Sequence, residues 1–182
     1  TSLVLISHIF FATGQVLASI PAIAEKAHSC GAVVMLDCYH SFGVIPIDFT
    51  ALGIDFAIGG SYKYTRGGPG ACWLAISPEI VDRGHAALAP TLDTGWFAKR
   101  DTFAYQRPET PMRAEGGDAW LESSPPIATM YQARSGLEFT RAIGVDRLRE
   151  HNQRQQVRFA ALLKDQGITA TSPKDGGAFL LL

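Results

Sequence analysis

A lysine and an aspartate, each at the end of an apolar run, have the types and spacing to do chemistry. Lys63 stands in Ser61-Tyr62-Lys63-Tyr64-Thr65-Arg66-Gly67-Gly68-Pro69-Gly70, after the strand-like run Asp55 to Gly60. Asp37 follows the apolar run Ala32-Val33-Val34-Met35-Leu36 and opens Asp37-Cys38-Tyr39-His40. Open α/β sheets place their ligands at the carboxyl ends of strands. A lysine amine forms Schiff bases and moves protons when its surroundings favour the free base. A carboxylate can hold a pyridine nitrogen protonated through an ion-paired hydrogen bond. Pyridoxal 5'-phosphate needs both groups, and the glycines after Lys63 let backbone approach a cofactor closely. Taken alone, Lys63 reads first as a surface lysine, whereas the strand-end position of Asp37 favours function over a turn or cap aspartate.

His40 lies three residues after Asp37, placed to orient the carboxylate or to stack near a ligand ring. No histidine or cysteine partner sits at metal-ligand spacing, so a metal site is not expected. His8, His28, His85 and His151 have no such context and read as structural or exposed. Cys30, Cys38 and Cys72 form no CxxC pair, and the reading is reduced, mostly buried thiols in a cytoplasmic protein.

The elements that must position these residues follow from periodicity. Residues 2–7 read as a buried strand. Ser19 is a candidate cap for a helix with Pro21 in its first turn and Leu17, Ile20, Ile23, Ala24 and Ala27 at helical spacing, stopped by Gly31. Residues 32–37 are a continuous apolar strand, which calls for helices on both faces. This βαβ unit implies parallel strands and a right-handed crossover. Strands near 55–60 and 71–76 are joined by the short link carrying Lys63, which favours an antiparallel pair. Residues 77–124 are irregular and rich in aromatics, Pro and Gly, as functional or interfacial loops are. Helical spacing returns at Ile127, with Met130, Ala133, Leu137 and Ile143 on one face; Gly144 interrupts it, and a polar helix runs from about Val145 to Gln166.

Composition narrows the function class. The chain has 182 residues, 47% hydrophobic and 18% charged, with a net charge of -1. That is a globular balance with length enough for a sizeable core. Without a basic stripe, nucleic-acid binding has little electrostatic support. No apolar run reaches the roughly 18 residues of a membrane span. Both ends stand inside apolar strand patterns, so the chain is expected to be the central part of a longer protein.

Seven segments together resemble one family. They are Thr13-Gly14-Gln15, Asp37-x-x-His40-Ser41, Gly53-x-Asp55-Phe56-Ala57, Ser61-Tyr62-Lys63-Tyr64, Gly67-Gly68-Pro69-Gly70, Gly95-Trp96-Phe97 and Pro125-Pro126-Ile127. In order and content they resemble the kynureninase group of fold-type I pyridoxal-phosphate enzymes, close to class V aminotransferases. The resemblance implies an α/β fold with a mostly parallel sheet and helices on both faces. Residues 1–135 would belong to the large cofactor-binding domain, and 136–182 would open a small α+β domain. It implies Lys63 as the cofactor-bearing catalytic residue, with Asp37, His40 and Ser7 at the cofactor and Tyr62 on its phosphate. Trp96 and Ser124 match residues that reach the phosphate and substrate region from the neighbouring subunit, so a homodimer with shared sites is implied. Taken alone, Ser7 is an ordinary strand-end serine, Trp96 a core or interface aromatic and Ser124 a turn serine.

The implied reaction is hydrolysis of kynurenine, or its 3-hydroxy form, to alanine and the corresponding anthranilate. The chain departs from that group at Ala98-Lys99, where relatives have Gly-His, at Cys38-Tyr39 in place of Leu-Ala, and at Asp175-Gly176-Gly177 in place of an Arg-Gly. These departures leave open a class V aminotransferase or lyase with another amino-acid substrate. A non-catalytic α/β interaction module is the alternative from a different class. The N-terminal phosphate-binding turn and the arginine for the substrate carboxylate are expected outside this chain, which alone is expected to be inactive.

Overall fold

A computed structural model describes residues 1–83, 95–106, 108–109 and 112–182. Contacts group the chain into two compact units, one of residues 1–75 and 128–182, the other of residues 76–127.

The first unit is built on a four-stranded sheet in the order β1 (Leu3–Ser7), β2 (Val33–Asp37), β3 (Phe56–Gly60), β4 (Cys72–Ile76). The last residue of β4 counts with the second unit. β1, β2 and β3 run parallel. The link from β3 to β4 contains no helix, so β4 runs back along β3 and the sheet is mixed. Register sets the site: Ser7 stands opposite Asp37, and Asp37 opposite Ile58. The carboxyl ends of β1 and β2 are therefore level, while β3 runs two residues further, to Gly60, before the lysine loop begins.

Helix α1 (Ile20–Ser29) crosses between β1 and β2 and buries Ile20, Ala24 and Ala27, four and three residues apart, as the spacing predicts. Those residues meet Val34 and Leu36, both fully buried. Each such aliphatic side chain contributes about 1.5–3 kcal/mol on burial. Val33 and Met35, on the other face of β2, are only half-buried, so the two faces are covered unequally. Pro21 sits in the first turn, but the Ser19 side chain makes no capping bond, contrary to expectation. At the other end Gly31, at φ 72°, closes the helix. Its N–H donates to the His28 carbonyl, and the Ala32 N–H to that of Ala27.

Asp55 locks α1 to the sheet. Its buried carboxylate accepts from the Val34 N–H at 2.7 Å and pairs with His28 Nε2 at 2.8 Å. A one-turn helix, α2 (Phe49–Leu52), is capped by Asp48, whose carboxylate accepts from the Ala51 N–H at 2.9 Å.

After the second unit the chain returns as α4 (Ile127–Ile143) and α5 (Val145–Asp165), separated by Gly144 as expected. The buried face of α4 is Ala133, Gly136 and Thr140. Met130 and Leu137, expected inside, are exposed, because α4 packs on the lysine loop through small residues. α5 buries no residue fully. It holds the last segment through Gln156 Nε2 donating to the Gly177 carbonyl at 2.8 Å and Arg149 donating to that of Gly176 at 2.8 Å. Residues 168–182 form no helix or strand, and they dock by the Gly177 N–H on the Gly14 carbonyl at 2.8 Å.

The second unit holds α3 (Pro78–Arg83) and short 3-10 turns at Trp96–Ala98, Thr102–Ala104 and Gly116–Trp120. An antiparallel bridge joins Lys99 to Arg113. Part of the expected irregular segment, including His85, lies outside the described residues. Among the described residues no helix is long and apolar enough to cross a membrane. No group of three or more His, Cys, Asp or Glu among them is arranged to hold a metal. The cysteines are free, but Cys30 and Cys72 are exposed, and only Cys38 is buried as expected.

Candidate active site

The loop after β3 is tied at nearly every residue, and that fixes Lys63. Ser61 is buried, and its carbonyl accepts from the Thr65 hydroxyl at 2.9 Å and the Gly67 N–H at 2.7 Å. Its own N–H and hydroxyl donate to the Ala71 carbonyl at 2.9 and 3.0 Å. Thr65 is clamped from two sides. A methyl group on Gly43 would stand 2.6 Å from Thr65 Cγ2, and one on Gly136 of α4 would collide with the Thr65 and Arg66 carbonyls. These close approaches are possible only for glycine. Arg66 is held at φ 59°, a left-handed conformation that non-glycine residues rarely adopt.

From this loop the Lys63 amine reaches His40, with Nζ 2.6 Å from Nε2. Burial, then the charge of Lys63, lowers the His40 pKa, partly offset by Asp37. The imidazole is thereby favoured neutral, so Nε2 accepts from Lys63 and the ring proton sits on Nδ1, a tautomer inferred from the bonding. Nδ1 is buried and has no hydrogen-bond partner. Such an orphan costs about 1–3 kcal/mol and marks a place where a polar group fits.

Asp37 sits at the carboxyl end of β2, and its Oδ1 accepts from the Tyr39 N–H at 2.9 Å. No hydrogen bond is made by its Oδ2 among the described residues. Two anions near Asp37 are suppressed. The Cys38 thiol is pushed up to about 11, chiefly by burial, and the Tyr39 phenol to about 12, first by its hydrogen bond to Cys72. Both stay neutral at physiological pH.

Sequence reasoning gave no sign of two further groups here. The Phe11 and Phe179 rings lie 5.2 and 5.6 Å from the His40 ring, centroid to centroid. They come from far apart in the chain, so no local pattern could have indicated them.

The structure thus brings Lys63, His40 and Asp37 together at the carboxyl ends of adjacent parallel strands. Ser7 stands level with Asp37 across the β1–β2 pair. The exposed Tyr62 ring has the Lys63 amine 5.8 Å from its centroid. Trp96 and Ser124 belong to the second unit, where the Lys99 amine stands 5.6 Å from the Trp96 ring centroid and Ser124 is exposed.

The family described as aminotransferase class-V matches residues 1–176. The chain belongs to the class-V aminotransferase family. A kynureninase of Pseudomonas fluorescens is 32% identical over 139 residues, covering 76% of this chain and 32% of the relative. A kynureninase of Geobacillus thermodenitrificans is 31% identical over 180 residues, covering 96% of this chain and 40% of the relative. An uncharacterized aminotransferase of Bacillus subtilis is 31% identical over 151 residues, 83% of this chain and 38% of that protein. The chain therefore spans less than half the length of these relatives. Among solved structures, the apo cysteine desulfurase of Thermococcus onnurineus superposes with TM-score 0.80 at 19% identity, covering 98% of this chain and 43% of that one. At that identity it speaks for the fold alone. As a member of the class-V family the chain has the α/β fold with a mostly parallel, mixed sheet that its sequence implies.

The site fits the cofactor implied by the sequence. An amine from a rigid loop, a carboxylate at the next strand end and an orphaned buried imidazole nitrogen form a set with groups for an aldehyde, a ring nitrogen and a further polar atom.

Proposed function

We propose that this chain is the central part of a kynureninase-type hydrolase dependent on pyridoxal 5'-phosphate. Its substrate would be kynurenine or 3-hydroxykynurenine, its products alanine and anthranilate or 3-hydroxyanthranilate. The observation that carries the reading is the 2.6 Å contact between Lys63 and His40 beside Asp37. Kynureninases about 30% identical over most of the chain support the substrate.

When bound, pyridoxal phosphate supplies an electron sink for the pair left when a proton departs from the substrate Cα. Lys63 would hold the cofactor aldehyde, and its Nζ would take up and return that proton. The neutral His40 accepts from Nζ, fixing where the amine points. Asp37 keeps a proton on the pyridine nitrogen, and its neutral neighbours Cys38 and Tyr39 do not compete with its charge. Ser7 assists at the same strand end. Tyr62 holds the phosphate, with Trp96 and Ser124 contributed across a homodimer. Residues 1–135 belong to the large domain of the longer protein and 136–182 to the small one. The protein is cytoplasmic, within tryptophan catabolism.

A second reading, aminotransferase or lyase action on another amino acid, is favoured by Lys99. Its ammonium beside the Trp96 ring brings a charge that an acidic substrate would use better than an aryl ketone. The test gives the full-length enzyme kynurenine, 3-hydroxykynurenine and a panel of acidic and aliphatic amino acids. Anthranilate with alanine supports the hydrolase; a keto acid without anthranilate supports the second reading.

A further inference from the structure

A cavity of about 210 Å³ opens between the lysine loop and α5, on the side of Lys63 lined by Tyr64 and Arg66. Its polar lining is Lys63, Tyr64, Arg66, His151, Asn152 and Gln155, and no carboxylate lines it. The donors are available. Asn152 Oδ1 already accepts from Gln156 at 2.6 Å, which leaves its amide N–H groups as what it can offer. Arg66 uses one nitrogen on the Tyr64 carbonyl at 3.0 Å and rests 5.5 Å from the Phe139 ring centroid. A guanidinium has five N–H donors, so several remain. His151 and Gln155 have no hydrogen-bond partner among the described residues. Arg66 is also the residue held in the left-handed conformation at φ 59°. Strain of this kind collects at functional sites. Leu148 supplies an apolar wall, which strengthens fields inside a cleft.

We propose that this cavity binds a small oxyanion, a carboxylate or inorganic phosphate, through Arg66, His151 and the amide groups of Asn152 and Gln155. Cationic and amide donors line it and no carboxylate does, and the volume holds an oxyanion with its remaining waters. The cavity shares Lys63 with the cofactor reading, but the proposal names other donors and goes beyond that reading.

The experiment titrates the full-length protein with sodium phosphate and, separately, sodium acetate, by calorimetry at fixed ionic strength against sodium chloride. Saturable heat in either arm is expected, and the arm that responds identifies phosphate or carboxylate as the source. Loss of a donor should weaken that binding about tenfold in both Arg66→Gln and His151→Gln, with cofactor absorbance unchanged. His151 lies on an exposed part of α5, so His151→Gln decides the matter if Arg66→Gln folds poorly. No saturable heat in either arm, or the same affinity in His151→Gln as in the parent, would overturn the proposal. Displacement of the cofactor from the parent by phosphate would put the anion in the cofactor's own site and would also overturn the proposal, whereas a parent that takes up no pyridoxal 5'-phosphate would count against the cofactor reading alone.

Discussion

The lysine loop and the segment around Trp96 are built by opposite means. Around Lys63 the backbone is tied to Ser61 and Ala71, clamped by Gly43 and Gly136, and seated at the ends of buried strands. Around Trp96 there are short 3-10 turns and one bridge, and large rings stand in the open, with Phe103 70% and Tyr105 73% exposed. Chemistry that needs a fixed amine sits on the first kind of structure. Exposed aromatic surface of the second kind suits contact with another subunit. On the proposed reading, the difference separates residues whose role is set within the chain from those that need a partner.

The largest effect should come from the first region. In the full-length enzyme, Lys63→Ala should lower turnover by on the order of 10²–10⁴-fold or more, while its melting temperature stays near the parent's. A Lys63→Ala enzyme that keeps a tenth of parental turnover would break the contrast. Asp37→Ala should follow. Removing a charged hydrogen bond costs about 1.5–3 kcal/mol, roughly 10–150-fold in turnover, with cofactor still retained through Lys63.

Stability should divide the regions in the same way. Gly136→Ala forces a methyl group against the Thr65 and Arg66 carbonyls, and overpacking of this kind costs about 1–3 kcal/mol. Trp96→Ala, at a residue 38% exposed, should change stability by no more than about 0.5 kcal/mol yet impair activity. Denaturant melts of both variants check the pair. Mixing Lys63→Ala with Trp96→Ala subunits should restore activity in part of the hybrid dimers. An absence of rescue in dimers shown to have exchanged would place the whole site in one chain.

The smallest effect expected is a pH dependence. His40 and His8 both have pKa values lowered in the fold, His40 by burial and then Lys63, His8 by burial. The unfolded chain therefore binds more protons than the folded one, and stability falls as pH drops below the ordinary histidine value of about 6.5. His40→Gln should flatten this slope between neutral and mildly acidic pH. A slope unchanged in His40→Gln would mean that His40 titrates as it does in the unfolded chain.

What the sequence made legible was local. Runs such as Val33–Asp37 and Phe56–Gly60 announce buried strands, and the spacing of Ile20, Ala24 and Ala27 announces α1. Asp37, His40 and Lys63 could be grouped because strand ends in a βαβ sheet come together. Contacts across long separations were not legible. Phe179 beside His40, the Tyr39 hydroxyl 3.3 Å from Cys72 Sγ, and Asp55 holding His28 depend on tertiary packing that no local period encodes. The buried face of α4 was misjudged for a related reason. Helical spacing put Met130, Ala133, Leu137 and Ile143 on one face, and Ala133 is buried, but the close approach of the lysine loop selects Gly136 beside it in place of Met130 and Leu137.

The central claim is that Lys63 carries the cofactor, and reduction tests it most directly. Full-length protein loaded with pyridoxal 5'-phosphate is treated with borohydride, digested and mapped by mass spectrometry. A pyridoxyl group on the peptide containing Lys63 is the expected result. A label on Lys99 or Lys164, with Lys63 unmodified, would contradict it.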